Sequence, residues 1–300
     1  MAKYRLLRER LVADGVVSER DLHLPEAVTL DELKLAHSAS YVEAVVHGRL
    51  LPDEQRRIGF PWSEMMVERS RRSAGATLAA ARAALSAAAA GPTGAARSIF
   101  AANLAGGTHH AFADRGEGYC VFNDVAIAAR VLLRDGTIRR AVVVDCDVHQ
   151  GNGTAAIFRN DPTVYTLSFH GEKNFPFKKE TSDRDITFND GAGDEEYLRA
   201  LSIHVAEVLD QQQPDLVFYL AGADPYEGDR LGRLKMSIEG LRARDRFVLE
   251  SCRSRNIPAA IAMSGGYAPD VDAIVTIHVN TIREAIAVSC TDLWRSASAS

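Results

Sequence analysis

Short apolar, β-branched runs recur along the chain, with amphipathic stretches between them. The runs Ser98 to Ala101, Ala141 to Val144, Val164 to Leu167, Leu216 to Leu220 and Ala259 to Met263 have the length and residue types of strands buried on both faces. The segments Asp124 to Leu133, Glu195 to Leu209 and Ser237 to Ser254 repeat apolar positions at helical spacing. Strand alternating with helix predicts an α/β fold: a single domain with a central, mainly parallel sheet and helices on both faces. The Ala-rich segment Ala74 to Ala90, interrupted by Arg82, reads as a packed helix that stops at Gly91-Pro92. No linker or break in composition divides residues 1–295, and the final "SASAS", 296–300, reads as a disordered tail.

The end of each run is more informative than its interior. "SIFAANLAGGTHHA" closes on Gly106, Gly107, Thr108, His109 and His110; "AVVVDCDVH" on Asp145, Asp147 and His149; "VYTLSFH" on Ser168 and His170. "LVFYLAGADPYEGD" closes on Asp224 and Asp229, and "AAIAMSGGY" on Ser264, Gly265, Gly266 and Tyr267. Open α/β sheets bind ligands beyond the carboxyl ends of their strands, so five polar strand ends predict one shared pocket. Buried carboxylates cost several kcal/mol unless compensated, which points to a metal ion, a dense hydrogen-bond network, or both.

Composition narrows the partners. With 300 residues, 46% hydrophobic, 25% charged and a net charge of −5 spread without blocks, the chain offers no basic stripe for nucleic acid and no polybasic arm for a membrane. Cys120, Cys146, Cys252 and Cys290 form neither CxxC pairs nor a disulfide framework, and "MAKYRLLRERLVADG" lacks an apolar signal core. Both point to reduced thiols and a cytoplasmic location.

Asp147 and His149, two apart in an extended chain, leave the same face and can reach one ion, with Asp224 as a third ligand. Two aspartates and one histidine with a free position suit catalytic Zn²⁺, or Fe²⁺ or Mn²⁺. Taken alone, the DxH pair equally describes an aspartate and a histidine bonded to backbone. Adjacent His109 and His110 can act as base and acid partner, or can simply be solvated loop histidines. Asp145, on the face of Asp147 and His149, can orient a histidine through its N–H. After the Gly265-Gly266 turn, Tyr267 can aim its hydroxyl at a developing oxyanion. His204, in an amphipathic helix, and His278, near a terminal strand, read as structural, and Cys146 points into the core. Trp62 and the loop "IGFPWSE" either shape the pocket entrance or pack as an ordinary loop.

"GGTHHA", "GYCVFND", "DCDVHQGNGT", "LSFH", "AGADPYEGD" and "SGGY" occur in the order and approximate spacing of the histone deacetylase family, which this chain resembles over most of its length. "DVHQGNGT", "SGGY" and the opening "KYRLLRERL" are most similar to the class IV and bacterial branch. The resemblance implies an arginase/deacetylase-type fold and a zinc-dependent amidohydrolase that removes acetyl or longer acyl groups from lysine side chains. It implies Asp147, His149 and Asp224 as metal ligands, His109 and His110 as the tandem histidines with His110 as the better base, Asp145 as the carboxylate orienting the first, and Tyr267 as the carbonyl-polarising residue. Gly118, Tyr119, Phe175 and Gly266 fall where the family builds its acyl-lysine pocket, and Cys120 can line its floor. A structural K⁺ is implied at Asp145, Asp147, His149, Ser168 and Phe169.

Asn152 stands where some branches carry an aspartate behind the second histidine, and a neutral amide supports less positive charge there. The acidic rim residue that holds substrate backbone is not identifiable; Glu64 and Asp53, read as loop residues, are the candidates. Substrates range from acyl-lysine peptides or proteins to small acylated amines such as acetylpolyamines. A non-catalytic acyl-lysine-binding module would lack a ligand, histidine or tyrosine, and none is lacking. A binuclear arginase-like centre would need further bridging carboxylates, which Asn152 does not supply.

Overall fold

The computed structural model describes residues 2–89 and 99–297. Its strands are β1 (Phe100–Asn103), β2 (Ala141–Asp145), β3 (Val164–Gly171), β4 (Arg184–Phe188), β5 (Leu216–Leu220) and β6 (Ala259–Ala262). Its α-helices are α1 (Ala2–Ala13), α2 (Leu30–Leu33), α3 (Ala39–Val46), α4 (Pro52–Ile58), α5 (Glu64–Ala89), α6 (Asp124–Arg134), α7 (Asn152–Ile157), α8 (Asp194–Gln212), α9 (Ile238–Ser254) and α10 (Val271–Ala297). The strands form one sheet in the order β1-β6-β5-β2-β3-β4, with every pairing parallel.

The period-2 geometry of a strand divides the chain's apolar residues into two cores. Val142 and Val144 face a cluster with Leu7, Leu11, Leu201, Val248 and Ile277 from α1, α8, α9 and α10. Ala141 and Val143 face the opposite cluster with Val42, Leu78 and Ile127 from α3, α5 and α6. Burial on both faces explains why β2 reads as an unbroken apolar run; each buried branched side chain contributes about 1.5–3 kcal/mol. The run stops at Asp145, where the sheet gives way to the site.

Several expectations shift. The first strand is displaced to Phe100–Asn103, and β3 continues past Leu167 to Gly171. β4 was not legible, because "RDITF" is a short, half-exposed edge strand in which three of five residues are polar. The Ala-rich helix begins ten residues earlier than expected, at Glu64, and carries its own ion pairs from Glu68 to Arg71 and Arg72. Its expected stop at Gly91-Pro92 lies outside the described residues. Of the tail expected at 296–300, Ser296 and Ala297 close α10, and 298–300 lie outside the described residues. Among the described residues, no helix is long and apolar enough to cross a membrane.

His37 ties the N-terminal helices to the segment that becomes the pocket wall. Its Nδ1 donates to the Phe112 carbonyl at 2.8 Å, and its Nε2 accepts from the Asn123 N–H at 3.0 Å, so the ring must be neutral. Burial pushes its pKa down to about 4, although the Phe112 carbonyl acts in the other direction. Unfolded, the ring takes a proton near its ordinary value of 6.5. Between those values the unfolded chain binds more protons, so this contribution is full above pH 6.5 and is lost as pH falls toward 4. Chemical unfolding at pH 7 and pH 5 is expected to differ by about 2 kcal/mol less in His37→Gln than in the wild type. An unchanged difference would remove His37 from the acid response.

Candidate active site

The chain leaves β2 through two successive side-chain turns. Asp145 Oδ1 accepts the Asp147 N–H at 3.1 Å, and Asp147 Oδ1 accepts the His149 N–H at 3.0 Å. The extended geometry expected for Asp147 and His149 therefore ends at Asp145. The turn still brings both side chains to one point, because Asp147 Oδ1 also meets His149 Nδ1 at 2.9 Å. Asp224, just beyond β5, joins them: one ligand atom from each residue lies within 4.8 Å of the others, and all three residues are buried. Asp224 Oδ1 is fixed by the Val148 N–H at 2.9 Å. Its Oδ2 is buried without a hydrogen bond, although His149 Nδ1 lies 3.2 Å away in a direction that makes none.

This is the chemistry of a cation site. Burial, followed by the negative charge of Asp147, pushes the Asp224 carboxyl up to about 7. Burial works against a charged ring, but the bond to Asp147 and the negative charges of Asp147 and Asp224 push His149 up to about 10. A divalent ion bound by the three would satisfy the orphaned oxygen and neutralise the paired carboxylates, so the residues fit a metal. Asp147 Oδ2 is aimed by the Ser264 hydroxyl at 2.7 Å and the Gly265 N–H at 2.8 Å. Among the described residues this is the one His/Cys/Asp/Glu group so arranged.

The two histidines stand beside it with ring centres 4.2 Å apart. His109 Nδ1 meets Asp145 Oδ2 at 2.6 Å, and His110 Nδ1 meets Asn152 Oδ1 at 2.7 Å. Their environments push their pKa values apart. Against the effect of burial, the carboxylates of Asp145 and Asp147 raise His109 to about 9. Burial, then the charges of His109 and His149, hold His110 well below its ordinary value. One imidazolium and one neutral imidazole side by side can divide acid and base work.

Asp124 holds this loop, a role the sequence reading missed. Its Oδ2 accepts the Gly107 N–H and the Thr77 hydroxyl, and its Oδ1 accepts both the N–H and the hydroxyl of Thr108. The signal was there: an aspartate opening an amphipathic helix sits well at the positive end of the helix dipole. Asp229, expected at the pocket but without a stated task, supports the tyrosine: its Oδ2 accepts the Tyr267 N–H at 2.6 Å, while its Oδ1 accepts the N–H groups of Leu231 and Gly232.

The wall residues gather as expected. Phe175 stands nearly perpendicular to His110, with ring centres 5.0 Å apart. Gly118 has φ +58°, and a Cβ there would lie 2.7 Å from His110 Cδ2, so glycine lets the wall close on the histidine. Half-exposed Tyr119 lies 6.4 Å from the Tyr267 ring and 5.3 Å from Phe60. Tyr267 stands edge-on to His149 at 6.3 Å. Burial, with the charges of Asp147 and Asp224, keeps its phenol well above its ordinary pKa and therefore a donor. Gly266, immediately before it, offers its carbonyl to Lys3 Nζ at 3.4 Å, and Ser264 does so at 3.0 Å. Cys120 is buried with Sγ 3.4 Å from the Gly118 carbonyl.

Other residues fall elsewhere. Asp53 and Glu64 are exposed and helical, in α4 and α5, and not in a loop. In "IGFPWSE" the work is divided: Phe60 meets Tyr119 at the rim, whereas Trp62 packs back, donating to the Val45 carbonyl at 2.7 Å. Ser168 Oγ pairs with His170 Nδ1 at 3.0 Å, and Phe169 lies in the core. Cys146 is core, as its parity required. His204 lies in α8 beside Glu207, and His278 is itself helical, within α10, with both ring nitrogens buried and without hydrogen bonds.

The fold is that of the deacetylases. A histone deacetylase homologue from Aquifex aeolicus superposes with a TM-score of 0.77 at 23% identity, covering 94% of this chain and 77% of that one. Residues 1–282 match the histone deacetylase domain, and the chain belongs to that family of deacetylase hydrolases. It is 44% identical over 278 residues to an uncharacterized protein of Picosynechococcus sp., covering 93% of this chain and 89% of its relative. It is also 30% identical over 267 residues to Histone deacetylase 2 of Arabidopsis thaliana, covering 86% of this chain and 66% of that protein.

Proposed function

We propose that this chain is a zinc-dependent deacylase acting on acetyl- or longer acyl-lysine side chains of peptides or proteins, in the cytoplasm. The observation that carries the reading is the orphaned Asp224 Oδ2, which converges with Asp147 and His149 beside the paired rings of His109 and His110. Zinc held by Asp147, His149 and Asp224 supplies Lewis acidity and lowers the pKa of water at the site. A K⁺ at Asp145, Asp147, His149, Ser168 and Phe169 belongs to the same reading as a structural ion.

The protein groups then have defined tasks. Neutral His110 accepts a proton from water at Nε2 as the water oxygen attacks the amide carbon. Tyr267 donates its phenol proton in a hydrogen bond to the developing oxyanion, and His109, held by Asp145, places a positive charge nearby. On collapse the C–N bond breaks, the leaving amine takes the proton back from His110, and the products are a carboxylate and a free amine. Phe175, Tyr119 and Gly118 form apolar walls suited to an uncharged alkyl stem.

Release of amine should be measured on lysine peptides bearing acetyl, medium and long acyl groups, alongside acetylated polyamines. Activity is expected on the peptides, lost on chelation and restored by Zn²⁺. Thermal stability should fall when the metal is removed, since ligand at a hundredfold excess over Kd stabilises a fold by about 3 kcal/mol. Turnover of polyamines alone would transfer the reading to small acylated amines. Tight zinc binding without any turnover would favour a binding module.

A further inference from the structure

Asn152 is not the end of the chain of contacts behind His110. While its Oδ1 faces His110 Nδ1 at 2.7 Å, its Nδ2 reaches Glu117 Oε1 at 2.6 Å. The Glu117 side chain is 14% exposed, and its other oxygen lies 3.8 Å from Arg115 Nε. Arg115 in turn lies over the Phe112 ring at 3.5 Å. Glu117 is fixed in backbone as well, bridged to Cys120 in the turn that carries Gly118.

An ionised carboxylate has no proton to donate, so the amide must present its NH₂ to Glu117 and its oxygen to His110. The oxygen can only accept, so His110 Nδ1 must carry the hydrogen and Nε2 must hold the lone pair. A side-chain amide has two faces of almost equal shape, and nothing in Asn152 itself chooses between them. In the flipped amide the NH₂ would meet Nδ1, leaving the hydrogen on Nε2, and the carbonyl would face a carboxylate. We propose that Glu117 is a positioning residue that orients the Asn152 amide and thereby keeps His110 in the tautomer whose Nε2 can accept a proton. In branches with an aspartate behind this histidine the tautomer needs no such help; here the neutral amide passes the choice one residue further back. The catalytic consequence rests on the deacylase reading, but the tautomer does not.

Glu117→Gln preserves shape and removes the polarity that makes the choice, because glutamine can satisfy either face of Asn152. Side-chain ¹⁵N correlation spectra of the zinc-loaded protein are expected to show His110 as a single Nδ1–H tautomer in the wild type and as a mixture in Glu117→Gln. In turnover, Glu117→Gln is expected to lower kcat about tenfold with KM little changed, less than the loss of a general base itself. The sign should reverse in an Asn152→Asp background. There Glu117 would face another carboxylate, and Glu117→Gln, able to donate, should raise kcat. A role in fold stability alone would give the same sign in both backgrounds.

A pure Nδ1–H tautomer in Glu117→Gln would overturn the proposal, as would a rise in KM with kcat unchanged, which would make Glu117 a substrate contact. If the wild type turns over nothing, the deacylase reading fails and the spectra still decide this one.

Discussion

Gly265→Ala is expected to empty the metal site while leaving the sheet intact. A Cβ at this position would overlap Asp224 Oδ2 and lie 2.6 Å from Asp147 Oδ2. Neither carboxylate is free to retreat. Asp147 is held by the Ser264 hydroxyl, the Gly265 N–H and the His149 N–H, and Asp224 by the Val148 N–H. Gly265 cannot retreat either, since its carbonyl accepts the Ala223 N–H at 3.0 Å. One methyl group therefore occupies the place of two ligand oxygens. Because loss of merely an outer partner weakens metal sites 10–100-fold, affinity should fall at least about 100-fold here. Elemental analysis after gel filtration, together with turnover, checks this; full occupancy and normal activity would mean that the three residues do not hold the ion.

Tyr267→Phe should separate catalysis from binding. The converging ligand atoms come from Asp147, His149 and Asp224, and the backbone N–H that Asp229 fixes is retained in phenylalanine. Metal content and KM are expected to stay near wild type. kcat should drop about 10²–10³-fold, the usual effect of removing one oxyanion donor. A drop in metal content would show that Tyr267 supports the ion, and an unchanged kcat would assign oxyanion stabilisation elsewhere.

The site was more legible in the sequence than the scaffold around it. Buried parallel strands advertise themselves as unbroken apolar runs, and polar residues at their carboxyl ends are costly enough to be noticed. Asp145, Asp147, His149, Asp224, the two histidines and Tyr267 were found that way, and the structure gathers them. β4 escaped because "RDITF" is a short, half-exposed edge strand with little apolar content, and the first turns of α5 escaped because their charged residues interrupt the apolar pattern. His278 was misplaced because its apolar, β-branched surroundings suit a strand as well as a buried helix. The tasks of Asp124, Asp229 and Glu117 were not legible for another reason. Each acts on a partner distant in sequence, and a lone carboxylate in a loop or at a helix start looks the same whether it holds a backbone, a hydroxyl or an amide.

The strand order has a consequence for how the protein is made. β1 lies at the sheet edge, and its neighbour is β6, so Phe100 pairs with Ala259, 159 residues later (259 − 100). At about 5–20 residues per second, a growing chain carries β1 for roughly 8–30 s before that partner exists. Ser264, Gly265 and Tyr267 follow β6 and emerge later still. For that interval the ion-binding group lacks the hydroxyl and N–H that aim Asp147, and β1 has an open edge able to pair with another chain. The aiming of Asp147 and the covering of the inner edges of β1 and β5 are thus settled by the same late event, the docking of β6 between β1 and β5.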